Sequence, residues 1–145
     1  MFTISFYIFS SILSYTDFKK FLVPNNILIA MALMLVTFGL FESKIYISSI
    51  ILTFVVLLFF ILLLLLKPTM ILGGGDIKYL MITAFYLGVQ PFALFLVITG
   101  ILQSLTLFYV QNIKKRKIAP MVPMMFLSVI IVEILINLEI YPFKF

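Results

Sequence analysis

Charged side chains interrupt this 145-residue chain so rarely that the gaps between them outline its architecture. Four charge-free apolar runs cover residues 1–16, 21–41, 45–66 and 79–113, and a fifth run, 120–140, carries Glu133 near its middle and Glu139 near its end. A hydrocarbon core ~30 Å thick takes about 20 apolar residues in a helix rising 1.5 Å each, so these runs have the length of membrane spans. Residues 1–16 give a first helix closed by Asp17, Lys19 and Lys20. Residues 21–41 give a second, entered through Val23-Pro24-Asn25, and 45–66 a third that stops at Lys67-Pro68. The run 79–113 is too long for one span, and Gly88-Val89-Gln90-Pro91 supplies a turn inside it. It divides into a short fourth helix, from Asp76 to about Val89, and a fifth from Pro91 to about Asn112. A sixth extends from about Pro120 to Ile140. The pattern predicts an all-α membrane protein: one domain over residues 1–145, built as a bundle of about six transmembrane helices.

Lys and Arg orient the bundle, because they stay on the cytoplasmic side. Lys19 and Lys20 follow the first helix, Lys67 and Lys78 separate the third from the fourth, and Lys114, Lys115, Arg116 and Lys117 separate the fifth from the sixth. Those three loops face one side with eight cations against two, Lys44 and Lys144, on the other. Both termini are thereby expected outside, with a multi-pass chain in the cytoplasmic membrane. The first run lacks a basic start and a small-residue cleavage site, so it is read as a helix and not as a cleavable signal.

Composition agrees and narrows the chemistry. The chain is 65% hydrophobic and only 10% charged, against roughly 25% charged in a soluble domain. With no Cys there is no disulfide, thiolate nucleophile or cysteine zinc site, and with no His there is no Ser-His-Asp triad or H-E-x-x-H metalloprotease. No metal-ligand cluster, nucleotide loop or nucleic-acid module is present, and the +5 net charge belongs to membrane orientation.

Only two Asp exist, Asp17 and Asp76. Asp17 ends the first helix, and Asp76 opens the fourth after Gly73-Gly74-Gly75, where irregular backbone and close approach of another chain are permitted. Both are expected at the cytoplasmic face, Asp76 within the membrane boundary because its helix is short. Two carboxylates in one wet pocket share a proton, since like charges a few ångströms apart cannot both ionise. One can then activate water while the other donates a hydrogen bond to a scissile carbonyl. Other readings stay open at this point: an interfacial Asp beside Lys, a helix-capping Asp after a turn, or a pair of ion or proton sites in a small carrier or channel.

Local motifs separate these readings. Asp17-Phe18-Lys19-Lys20-Phe21-Leu22-Val23-Pro24-Asn25 resembles the D-x5-[IV]-P-N segment of type IV prepilin peptidases, and Gly73-Gly74-Gly75-Asp76-Ile77-Lys78 resembles their G-x-G-D-x-K motif. Lys117-Ile118-Ala119-Pro120-Met121-Val122-Pro123 is a looser match to the segment that opens the family's last helix. The resemblance implies an aspartic endopeptidase that needs no cofactor. It would act on prepilins or pilin-like proteins at the membrane surface, removing a short basic leader beside a Gly that precedes an apolar helix. Asp17 and Asp76 would be the catalytic pair. Gly73, Gly74, Gly75 and Lys78 would form the loop that the substrate approaches. Val23, Pro24 and Asn25 would shape the turn into the second helix, with Asn25 able to cap it. Longer relatives carry a cytosolic insert and also methylate the new N-terminus. This chain has neither insert nor Cys, so hydrolysis alone is expected, as in tight-adherence or preflagellin systems. A non-catalytic subunit of a pilus or secretion machine would keep the same fold.

Three features have plainer readings. Lys78 is two residues from Asp76 and so does not face it along a helix; reaching to the interface is its expected role. The run at 114–117 fixes topology and touches anionic lipid, because a basic leader would be repelled by it. Glu133 is expected to make a helix–helix hydrogen bond.

Overall fold

The computed structural model describes residues 1–66, 73–114 and 119–138. These form six α-helices and, among the described residues, no strand: α1 (Phe2–Lys20), α2 (Asn25–Phe41), α3 (Ile47–Leu66), α4 (Gly74–Leu87), α5 (Val89–Lys114) and α6 (Val122–Asn137). The expected sites Lys67, Lys115, Arg116, Lys117 and Lys144, and the end of the sixth helix at Ile140, lie outside the described residues.

The helix count matches the apolar pattern, while several boundaries move for local reasons. α1 does not stop where the apolar run stops; it continues through Asp17 to Lys20, since charge ends a membrane span without ending a helix. α4 starts at Gly74, so Asp76 is its third residue. The turn before α5 shrinks to Gly88, whose φ of 76° suits a residue without Cβ. Pro91 then falls inside the first turn of α5, where a missing N–H leaves no intrahelical bond unmade.

Among the described residues, two helices, Ile47–Leu66 and Val89–Asn112, are long and apolar enough to cross a membrane. Most of α3 points outward, with Phe54, Leu58 and Leu65 among its exposed apolar residues. A helix that is apolar all round and still exposed is built for lipid.

α1 and α4 form the centre with α6. α1 packs on α2 and α6, and α4 touches α2, α3, α5 and α6. The two run antiparallel: the Phe6 and Tyr86 rings stack with centroids 3.9 Å apart, and the fully buried Tyr79 donates its hydroxyl to Ser10 Oγ at 3.0 Å. That register brings the C-terminal turn of α1 to the same end of the bundle as the N-terminal turn of α4. Toward the other end, Tyr7 of α1 and Tyr86 of α4 both donate to the Glu133 carboxylate of α6. The expected helix–helix role of Glu133 is thus realised as a three-helix tie.

Candidate active site

Asp17 lies in the last turn of α1 and is only 4% exposed. Its Oδ2 accepts the backbone N–H of Val122 at 3.0 Å. Val122 is the first residue of α6, so the carboxylate caps a helix start and meets the positive end of that helix. Burial pushes the Asp17 carboxyl above the ordinary aspartate range, and the N–H groups of Val122 and Met121 pull it partly back. The Asp17 carbonyl takes the Phe21 N–H at 2.8 Å, closing α1. Phe21 adopts φ 53°, a left-handed conformation that costs a non-glycine residue roughly 1–2 kcal/mol. The chain thereby turns sharply into Val23 and Pro24.

Asp76 is set by the glycines before it. Gly73 caps α4 in extended backbone, with φ −66° and ψ 138°, and Asp76 three residues on folds its carboxylate back over it. A Cβ at position 73 would stand 2.9 Å from Asp76 Oδ2, so any larger residue there would push the carboxylate from this position. This is the reach-back geometry of an acid at the third helical position. The other oxygen, Oδ1, is buried without a hydrogen-bond partner. A buried polar atom left in that condition is costly in a structural site and useful in a catalytic one.

The sequence motifs converge here. A Cβ on Gly75 would lie 2.6 Å from Val23 Cβ, so the absence of a side chain at 75 lets α4 close against the turn before α2. Lys78 Nζ donates to Asn25 Oδ1 at 2.8 Å, joining the same two segments one turn further along. The two carboxylates end up near enough for Asp76 to feel the Asp17 charge.

Three expectations change in detail. Gly75 is not a free approach for substrate, because Val23 occupies its open side. Gly74 stays exposed, and a methyl group there would meet nothing within 4 Å. Asn25 does not cap α2: Pro24 holds the cap position with φ −69° and ψ 124°, and Asn25 is the first helical residue, its side chain engaged by Lys78. Lys78 remains exposed but reaches Asn25 in place of the interface alone. One contributor escaped the sequence, and so did a polar neighbour of Asp17 along α1. The Val122 N–H belongs to the backbone and so has no residue signature, although the loose motif at 117–123 pointed to its segment. Ser14, one turn before Asp17, has a buried hydroxyl with no partner, and a serine in an apolar helix carries no distinctive signal.

Fold and site together define a helical membrane protein with a buried Asp17 and a half-buried Asp76 at one end of its bundle. The chain belongs to the type IV leader peptidase family, whose sequence profile matches residues 4–108. That stretch takes in both Asp, the Val23-Pro24-Asn25 turn and the glycine loop, and it stops before Val122. No curated protein and no solved structure matches the chain. The protein is a peptidase by family.

Proposed function

We propose that the chain is an aspartic-type endopeptidase that removes the basic leader of prepilins or pilin-like proteins at the cytoplasmic membrane face. The observation that carries this reading is the unpartnered, buried Oδ1 of Asp76 beside a buried Asp17. A pair sharing one proton titrates as a unit. Its ionised member takes a proton from water as the oxygen attacks the scissile carbonyl, and its protonated member donates to the carbonyl oxygen. Collapse of the tetrahedral intermediate breaks the C–N bond and returns a proton to the leaving amine. The Val122 N–H holds Asp17 in place from one side, and Gly73 gives Asp76 its position on the other.

Hydrolysis without N-methylation fits a chain whose helices follow one another with short turns between α1 and α2. A carrier would distribute its carboxylates along a path through the bundle. What favours the peptidase is that Asp17 and Asp76 share one end, while the Glu133 carboxylate is taken up by two tyrosine hydroxyls. Co-expression with a prepilin-like protein tests the proposal. Wild type shortens the substrate by its leader, whereas Asp17→Asn and Asp76→Asn leave it full length. Undiminished processing by either variant would sink the catalytic assignment.

A further inference from the structure

A groove of about 350 Å³ opens between α2 and α4. Its mouth is formed by Asn25 and Lys78, the pair that joins the two helices two residues from Asp76. From there it follows α2 past Ala32 to Val36 and α4 past Met81 to Phe85, with Thr53 of α3 also lining it. Away from the mouth the walls are apolar apart from Thr53. The α4 wall, from Lys78 to Phe85, spans seven residues, or about 10 Å at 1.5 Å per residue. That is the reach of an i, i+3 or i+4, i+7 set of anchor side chains on a docked helix.

We infer that this groove receives the apolar helix that follows the scissile bond of the substrate, and that docking there measures out which peptide bond reaches Asp17 and Asp76. The inference rests on the peptidase reading above. Continuity favours a helix as occupant: one end of the groove is the site's own Lys78–Asn25 pair, and its long axis leads away from the carboxylates along α2. A polypeptide lying in it runs from apolar contacts to the Lys78–Asn25 pair, two residues along α4 from Asp76. Helices in a bilayer gain nothing from apolarity alone, because lipid is equally apolar, and associate where small residues permit close packing. Ala32 and Thr53 supply that closeness. Lys78 at the mouth marks where the apolar part of the substrate must end and its polar backbone begin.

The chain has no native Cys, which makes single-cysteine placement clean. Ala32→Cys and Met81→Cys in the groove, with Phe54→Cys and Leu58→Cys on the outward side of α3 as controls, are coupled to a benzophenone label. Each is reconstituted in phosphatidylethanolamine–phosphatidylglycerol vesicles with a synthetic probe, a basic leader joined to a 20-residue Leu/Ala helix. Probe cross-linking at 32 and 81 is expected to exceed that at 54 and 58 by 10-fold or more. Filling the groove with Ala32→Leu or Ala32→Trp lowers cleavage of the helix-bearing probe at least 10-fold, with unchanged thermal unfolding in detergent. Cleavage of a leader peptide without the helix shifts less than 2-fold. Equal cross-linking at all four positions, which means lipid alone fills the groove, would overturn the inference. So would adducts joining two copies of the chain without probe. If the groove cross-links the probe and wild type never cleaves it, the peptidase reading fails and the docking site stands. Cleavage without groove cross-linking does the reverse.

Discussion

At the scale of single residues, the site depends on side chains that have one geometry available. Gly75→Ala would press a methyl group onto Val23, whose Cβ already lies 2.6 Å from that position. Overpacking of this kind costs about 1–3 kcal/mol. Thermal unfolding should show that loss for Gly75→Ala, recovery of part of it in Gly75→Ala/Val23→Ala, and little change for Gly74→Ala, which meets nothing within 4 Å. The pH profile follows from Asp17. Burial favours its neutral form, so a proton is retained on the pair above the range in which a free aspartate, at about 3.9, has ionised. Cleavage should therefore persist above that range and fall as the pH rises further and the shared proton is lost. It should also fall at low pH, where the second carboxylate gains a proton. A rate that kept rising with pH until lysine titrates would contradict the shared proton. The two Asp stood out in the sequence because each falls inside one of the two local motifs, at 17–25 and 73–78. Val122 was not, since its contribution is a backbone donor whose position depends on where α6 begins.

At the scale of elements, α4 is held by ties of unequal strength. The Lys78–Asn25 bond is exposed, and exposed charged contacts contribute about 0.2–1 kcal/mol. Lys78→Met should accordingly slow cleavage only about 2–5-fold, Asn25→Leu by a similar factor, and the double variant no more than either, because they break one contact. The Glu133 tie is part-buried and joins three helices. Tyr7→Phe and Tyr86→Phe should each lower stability by about 0.5–1.5 kcal/mol in a detergent unfolding assay while cleavage survives. Loss of activity with unchanged stability would instead give Glu133 a functional part. The six helices could be read from the spacing of charges together with the Gly88–Pro91 turn signal, but their ends could not be read that way. The apolar run at 1–16 ends with the lipid, whereas α1 carries on to Lys20 until Phe21 turns left-handed. Likewise the Gly88 turn is one residue long because α5 tolerates Pro91 in its first turn.

At the scale of the whole molecule, antiparallel packing of α1 on α4 turns two motifs far apart in the chain into one site. The bundle gathers Asp17, Asp76 and the start of α6 at one end. By the eight-to-two split of Lys and Arg, that end is expected in the cytoplasm. Single cysteines introduced at Lys20 and Ser43 test the orientation: an impermeant maleimide added outside intact cells should label Ser43→Cys and spare Lys20→Cys. The reverse pattern would invert the topology. The register was not visible in the sequence, because it is set by the stacking of Phe6 on Tyr86 and by the bond from Tyr79 to Ser10, contacts with no periodic signature. Everything proposed for the site requires Asp17 and Asp76 to act as one catalytic unit. Initial rates of leader removal by the purified chain in vesicles decide whether they do, with wild type, Asp17→Asn, Asp76→Asn and the double variant compared. Each single substitution should cost roughly 10²–10⁴-fold, and the double variant should be no slower than the worse single one. Near wild-type cleavage by either single variant, or losses that multiply in the double, would show that the two carboxylates do not work as a pair.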